Sequence, residues 1–380
     1  MMKKTLAAVA VLGAFATSAF AADVTIYGRI GTGLLFQDQQ ATNFDGVDTV
    51  DNTSWGMDAG VTTTNRLGFK GSEKISDDLE VGFVLETKLV GDTGSAFANG
   101  FDRESLIYAK TNYGSFYAGR VGAMWSDGGS TNFWASNYVA GGTGGGGYSV
   151  QGVGLMVSES ARVANRISYV SPTFGGFTLY GEYSFGTDTS VEENCARNDR
   201  PAAIGLKYAN GNFGSGLVVT YRNEASVSAT NVVTDPENEF TVNLGAHYDA
   251  GFADFKLAGQ YFTGADAIGN VTGTLAKADS SVSGYDDLKG YALVVGADFP
   301  ALGGEWTVSA AYTDAEDNAT GAKDEFKGYN VGAMYTYMLS KQTRIKAGVG
   351  YLKTEGERTG ETSKAEFESV DAWVGIVQYF

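Results

Sequence analysis

A two-residue alternation of apolar and polar side chains constrains the fold of this chain more than any other feature. In residues 79–88, one face carries Leu79, Val81, Phe83 and Leu85, and the other carries Glu80, Gly82, Glu86 and Lys88. The same alternation recurs in residues 240–248, 329–337 and 345–351. This period is typical of β-strands with one apolar and one polar face. The sequence therefore predicts an all-β fold.

The connections between these strands fall into two length classes. Seven are short turns, at residues 74–78, 113–115, 172–176, 210–212, 249–251, 300–304 and 339–342. Eight are longer polar loops, near residues 37–61, 91–101, 122–163, 187–199, 224–238, 264–287, 315–325 and 354–366. Together they join sixteen strands. Short turns at one end and long loops at the other are typical of outer-membrane barrels.

The polar face distinguishes a membrane barrel from a soluble β-sandwich, whose strands also alternate. It carries Arg, Lys, Glu or Asp in nearly every predicted strand. An interior this polar requires water, so the aromatic and aliphatic face must meet lipid. The chain has 53 glycines but only 4 prolines, as suits a large sheet with tight turns. We expect a sixteen-stranded antiparallel transmembrane β-barrel with short periplasmic turns and long extracellular loops.

The N-terminal segment predicts a signal peptide over residues 1–21. Lys3 and Lys4 precede an apolar run, and Ala19-Phe20-Ala21 forms a small-x-small cleavage site. The remaining residues 22–380 form the single barrel domain and carry 25 basic and 44 acidic residues, a net charge of −19. This excess of acid argues against a nucleic-acid partner, which requires a basic surface.

Several motifs resemble those of the general diffusion porins of Gram-negative bacteria, in particular the betaproteobacterial branch. They are VTIYGRIGTGLLF (24–36), NRLGFKGSEKISDDLEVGFVLE (65–86), YGSFYAGR (113–120), NRISYVSPTFGGFTLYGEY (165–183) and the ending VGIVQYF (374–380). The chain departs from common family patterns at three places. Val377-Gln378 replaces a frequent Arg-His, Gly31 replaces a frequent Asp, and the third loop lacks Pro-Glu-Phe-Gly-Gly.

The resemblance implies an outer-membrane channel that passes ions and small hydrophilic solutes passively. It implies a homotrimer surrounded by outer-membrane lipid and lipopolysaccharide, and a third loop (122–163) folded into the lumen as a constriction. Terminal Phe380 matches the ending that the barrel-assembly machinery recognises in this family. A substrate-selective porin with a solute-binding track is the main alternative, and a surface adhesin or outer-membrane enzyme barrel is a more distant one.

The resemblance also implies a set of constriction residues. The basic wall is expected to comprise Arg29, Arg66, Arg103, Arg120 and Arg162. The acids of the third loop that could face this wall are Asp127 and Glu159, and Glu86 is a lumen acid that could pair with the arginines locally. Charges facing each other within a Debye length, about 8 Å at physiological salt, are only partly screened. We expect a transverse field and a modest preference for anions, although acidic loops at the mouth favour cations.

The sequence contains few residues that could form a catalytic or cofactor site. The chain has one histidine, His247, and one cysteine, Cys195, so a metal site built from Cys and His clusters is not expected. We expect no cofactor and no enzymatic activity. The aromatics of the third loop, Trp125, Phe133, Trp134 and Tyr138, are the one indication of a sugar track.

A glycine run in the third loop imitates a nucleotide-binding motif. Gly142, Gly144 and Gly147 match the G-x-G-x-x-G pattern. The residues that follow are rich in glycine and β-branched side chains, which do not favour the helix that such a motif requires. The run is therefore interpreted as part of a compact inward loop.

Overall fold

The computed structural model describes residues 24–96, 100–126, 128–141, 152–157, 161–227, 232–233, 236–318 and 323–380. Four features predicted from the sequence lie outside these residues. They are the signal peptide (1–21), the glycine run (142–147), Asp127 and Glu159.

One antiparallel sheet of eighteen strand segments forms the structure. The segments are β1 (Thr25–Thr42), β2 (Asp48–Ala59), β3 (Arg66–Ser76), β4 (Leu79–Val90), β5 (Ser95–Ala96), β6 (Glu104–Thr111), β7 (Gly114–Gly122), β8 (Arg162–Val170), β9 (Phe177–Ser184), β10 (Arg200–Asn210), β11 (Phe213–Asn223), β12 (Glu239–Asp249), β13 (Asp254–Ala265), β14 (Leu288–Ala301), β15 (Gly304–Asp317), β16 (Asp324–Met338), β17 (Thr343–Arg358) and β18 (Ala365–Tyr379). The loops contain helix α1 (Trp134–Tyr138), helix α2 (Gly269–Ala278) and a 3-10 helix (Gly152–Leu155).

The sheet closes into a barrel because β1 pairs with β18 from Arg29–Tyr379 to Thr42–Glu366. At the same seam, Gly28 and Phe380 exchange both backbone hydrogen bonds, at 3.0 and 3.1 Å. The last residue of the chain is therefore held against the first strand.

Sixteen barrel strands remain once two irregular segments are taken into account. Segments β2 and β3 both pair with β1, so they form a single barrel strand interrupted at residues 60–65. The two-residue β5 pairs with the end of β4 and with no other strand among the described residues. The predicted sixteen-stranded antiparallel barrel is confirmed.

The connections separate the barrel into a turn end and a loop end, as predicted, but one loop is much shorter than expected. Residues 37–61 were expected to form a polar loop, whereas β1 and β2 continue through them and turn at residues 43–47. The pairs Gln37–Ser54 and Asp38–Thr53 carry polar side chains in both strands, so the alternation that marks a strand is lost while the backbone ladder persists.

The two faces of the sheet differ as the alternation predicts. In β1, the side chains of Ile26, Ile30 and Leu34 are exposed on the outside. Tyr27 and Arg29, which alternate with them, contact Glu86 and Thr64 on the inside. Among the described residues, no helix is long and apolar enough to cross a membrane.

Candidate functional site: a basic cluster in the lumen

Strands β3 and β4 and the residue just before β6 place a carboxylate and two guanidinium groups together inside the barrel. Glu86 on β4 accepts a hydrogen bond from Arg103 Nε at 2.5 Å and lies 3.4 Å from Nη1 of Arg66 on β3. Tyr27 on β1 donates its hydroxyl to the same carboxylate at 3.1 Å. The Glu86 and Arg103 side chains are 5% and 10% exposed, so this pair is shielded from bulk water. Glu86 is therefore the centre of the cluster.

Arg29 extends the cluster along β1. It lies directly opposite Arg66 in the strand register, and its Nε donates to the carbonyl oxygen of Thr64 at 2.9 Å. Its guanidinium carbon is 6.0 Å from the centre of the Tyr379 ring, while that of Arg344 is 4.7 Å from the same ring. Closure of the barrel at the seam thus brings Arg344 of β17 close to Arg29 of β1.

Lys346 is a further cation that the sequence interpretation missed. Its Nζ donates to the carbonyl oxygen of Thr62 at 3.2 Å. The alternation of β17 placed both Arg344 and Lys346 on the polar face, opposite Ile345. The alternation predicts that both side chains face the lumen. Only the closure of the barrel brings them beside Arg29.

Arg162 and Arg120 have different surroundings. A Cβ atom on Gly128 would lie 2.5 Å from Arg162 Nη2, so Arg162 adjoins the first part of the third loop. Arg120 lies opposite Ser105, in the outward-facing set of β6, and its Nε donates to the carbonyl oxygen of Asp102 at 2.6 Å. Arg120 therefore lies apart from the cluster, and a bulge after Gly119, which has a φ of +129°, shifts the pairing with β8 beside it.

An unexpected wall acid holds the start of the third loop. Glu104 accepts hydrogen bonds from the backbone N–H groups of Gly122 and Ser130 at 3.0 and 2.7 Å. Its second oxygen accepts the Ser130 hydroxyl at 2.9 Å. A buried carboxylate with three donors is a strong anchor, because such bonds to a charged acceptor are strong.

The third loop folds into the lumen and lies against the opposite wall. The Phe133 ring stacks on Tyr180 with 4.3 Å between centroids, and Trp134 Nε1 donates to the carbonyl oxygen of Gly216 at 3.2 Å. Tyr138 contacts the wall at Gly216 and Gly245, where a Cβ atom would come within 2.3 and 2.5 Å of it. Glycines on successive strands therefore make room for the loop.

A second clamp fixes the far part of the same loop. The amide of Gln260 on β13 donates to the Val157 carbonyl and accepts from the Val157 N–H, both at 2.8 Å. Glu104 therefore holds the third loop near its start, and Gln260 holds it at Val157.

Helix α2 continues the apolar filling of the loop end. Its Val271 and Leu275 are buried in one cluster with Phe44, Phe326 and Phe367. The helix also contacts the 3-10 helix of the third loop. The far part of the third loop thus meets α2 at the loop end, where α2 packs against β16, β17, β18, β1 and β2.

The loop aromatics do not form a solute track. Trp125, Phe133, Trp134 and Tyr138 are at most 6% exposed, because they pack against the wall and not toward open lumen. A sugar track requires aromatic faces that a solute can reach.

A second charged cluster lies at the loop end. Arg222 contacts Glu224, and it lies 3.2 Å from both Glu239 and Asp266. Burial and the neighbouring Asp199 raise the pKa of Glu224 to about 7, against the opposing effect of Arg222. Both ends of the connection between β11 and β12 and the start of the segment after β13 therefore meet at one arginine.

This cluster predicts a pH dependence of stability. Because the pKa of Glu224 is higher in the folded than in the unfolded chain, folding binds a proton between pH 4.5 and about 7. Stability from this group is thus present at pH 4.5 and is lost as the pH rises through about 7, by about 1 kcal/mol after solvent screening. We expect Glu224→Gln to flatten the unfolding free energy between pH 5 and 8. An unchanged slope in the variant would contradict the assignment.

A closed antiparallel barrel with an apolar outer face and a charged lumen defines a membrane channel of the outer-membrane class. The chain belongs to the Gram-negative porin family, whose model matches residues 7–357. It is therefore an outer-membrane porin.

Individual relatives agree with this assignment. An outer membrane porin protein of Bordetella pertussis is 30% identical, over 93% of this chain and 94% of the relative. Outer membrane porin protein 32 of Delftia acidovorans is 27% identical, over 94% and 92%. The solved anion-selective porin from Comamonas acidovorans has the same fold, with a TM-score of 0.67, 22% identity, and coverage of 94% of this chain and 100% of that one.

Proposed function

We propose that this porin passes ions and small hydrophilic solutes by passive diffusion, with a modest preference for anions set by the basic cluster. The observation that carries the proposal is a set of five cations on one side of the lumen: Arg66 and Arg103 lie at Glu86, and Arg29, opposite Arg66, lies beside Arg344 and Lys346 at the barrel seam. The described part of the third loop lies on the other side, against β9, β11, β12 and β13. Solutes would then move along the basic wall, where the path is narrowest.

The magnitude of a single charge supports a modest effect. A unit charge about 5 Å from a permeating ion in water contributes about 0.8 kcal/mol, equivalent to about fourfold in local anion concentration before screening by salt. Arg162, which adjoins the first part of the third loop at Gly128, is included in the proposed wall. Arg120 is left out, because its side chain is engaged at Asp102. The anion-selective porin named above has the same fold, and we extend its stated selectivity to this chain as part of the proposal.

Reversal potentials in a salt gradient test this function. We expect the wild-type channel to favour chloride over potassium, and Arg66→Gln to lower that permeability ratio several-fold because it removes one lumen charge. Lys110→Gln is the matched control, since Lys110 lies near the turn end, is half exposed and is paired with Glu80 at 3.0 Å. A wild-type channel that favours potassium would overturn the proposal.

Further parts of the proposal concern topology and assembly. We place the turn end in the periplasm and the loop end outside the cell, with a signal peptide at residues 1–21 and a homotrimer in lipopolysaccharide-containing membrane. Phe380, paired with Gly28 at the seam, is the proposed signal for the barrel-assembly machinery. We also propose that the chain acts as a channel and not as an enzyme. The single histidine, His247, lies near a short turn with its Nδ1 2.9 Å from Asp254, as expected of a lumen residue at the turn end.

A further inference from the structure

A six-residue segment interrupts the second barrel strand. Arg29 of β1 pairs with Arg66, and Thr32 pairs with Ala59. Between these pairs β1 has only residues 30–31, whereas the partner strand has residues 60–65. A regular ladder needs equal numbers, so four extra residues must leave the plane of the sheet. We call residues 60–65 the strand-two bulge.

The strand-two bulge enters the lumen. Val61 is buried in a small cluster with Met334 and Trp373, against which Leu35 packs. Met334, Trp373 and Leu35 alternate along their strands with the outward-facing Val331, Val374 and Leu34, so they lie on the inner face. Val61 and its neighbour Thr62 are at most 1% exposed, so the start of the bulge is packed onto the inner wall.

Glycines on two adjacent strands make this packing possible. A Cβ atom on Gly33 would lie 2.5 Å from Val61, and one on Gly375 would lie 2.7 Å from Thr62. At Gly31 a Cβ atom would lie 2.8 Å from the Thr62 hydroxyl. A side chain at any of these positions would displace the bulge. The packed bulge therefore requires glycine at position 31, where a frequent Asp is replaced.

Four hydrogen bonds involving side chains fix the bulge in place. The Asn65 side chain donates to the Gly31 carbonyl at 2.8 Å and accepts from the Gly31 N–H at 2.7 Å. Arg29 donates to the carbonyl of Thr64 and Lys346 to that of Thr62, at 2.9 and 3.2 Å. Two cations of the basic cluster are therefore positioning residues for the bulge.

We propose that the strand-two bulge is a second constricting segment, which sets the pore cross-section from the side opposite the third loop. Its tip residues, Thr63 and Thr64, are half-buried, and they line the path beside the basic cluster. Hydroxyl side chains there give permeating ions a polar surface without adding charge. This segment limits conductance, whereas the charges of the cluster set selectivity.

Deletion of residues 61–64 tests the proposal. The shortened chain keeps Gly60 and Asn65, which can pair with Gly31 and Ile30 and so restore a regular ladder with β1. We expect single-channel conductance in planar bilayers to rise beyond the spread of wild-type channels. Asn65→Ala, which removes both bonds to Gly31, should raise conductance less and increase current noise. Asn52→Ala on β2 is the matched control, and it should behave as wild type.

A chemical probe locates the bulge independently of any deletion. Cys195 is the single cysteine, so Thr63→Cys in a Cys195→Ser background carries one thiol. Treatment with an anionic methanethiosulfonate should cause a stepwise loss of conductance, and Thr53→Cys in the same background should not respond. Heat-modifiable mobility on gels checks that each variant is folded. Unchanged conductance after both deletion and labelling of folded protein would overturn the proposal, whatever the ion selectivity.

Discussion

Replacing Gly245 by valine is expected to lower the single-channel conductance, on the order of twofold, because it pushes the third loop toward the pore axis. A Cβ atom at this position would lie 2.5 Å from Cβ and 2.7 Å from Cγ of Tyr138. These atoms are close to the backbone of α1, so rotation of the tyrosine ring cannot relieve the contact. The helix itself has to move.

The direction of that movement follows from the other contacts of the loop. Glu104 holds its start through Gly122 and Ser130, and Gln260 holds Val157. A loop fixed at both sides and displaced from the wall between them has only the lumen to occupy. Overpacking of this kind also costs about 1–3 kcal/mol of stability.

Gly181→Val is the matched control for this prediction. Gly181 lies on β9, and a Cβ atom there would meet nothing within 4 Å. Single-channel recordings in planar bilayers compare the two variants, with urea unfolding as the measure of stability. Equal conductance of Gly245→Val and wild type would show that α1 does not bound the conducting path.

The sequence best predicted the contacts that form between neighbouring strands. Arg66, Glu86 and Arg103 lie on or next to consecutive antiparallel segments, so alternation and the pairing of neighbouring strands suffice to bring them to one face at similar heights. Arg29 follows from the same logic, because β1 pairs with the strand that carries Arg66.

Contacts across the barrel seam were not predictable in this way. Arg344 and Lys346 lie more than 300 residues from Arg29, and closure between β1 and β18 decides their proximity. The strand-two bulge depends equally on remote residues, since Gly375 supplies part of its floor. Residues 60–65 carry no alternation of their own, and thus they resembled the end of a polar loop.

Local irregularity accompanies the placement of Arg120. Alternation from the inward-facing Tyr117 puts Arg120 in the outward-facing set, opposite Ser105, and the bulge after Gly119 changes the pairing with β8 as well. A glycine in a strand can mark such a bulge, but the chain has 53 glycines, and most of them carry no such information.

The buried ion pair between Arg166 and Glu182 predicts the largest loss of stability. Arg166 Nη1 lies 2.7 Å from Glu182 Oε1, and both side chains are 1% exposed. The same carboxylate oxygen accepts the N–H of Met124 at 3.4 Å, so the pair also supports the third loop. Removing one member of a buried pair leaves the other charge without compensation, which costs about 3–5 kcal/mol.

We therefore expect Arg166→Met and Glu182→Leu each to lower the unfolding free energy by about 3–5 kcal/mol. The double variant should recover most of this loss, because apolar side chains of similar volume replace both charges together. Urea unfolding in detergent micelles, followed by tryptophan fluorescence, gives the four free energies of the double-mutant cycle.

The exposed pair of Lys110 and Glu80 provides the comparison, since the two side chains are 50% and 37% exposed. Its removal should cost less than about 1 kcal/mol, because water screens the two charges. Single variants of Arg166 and Glu182 that cost no more than this would mean that water reaches the pair beneath the third loop. The loop would then be held by its contacts with the glycine wall and by Glu104, and not by a desolvated charge pair.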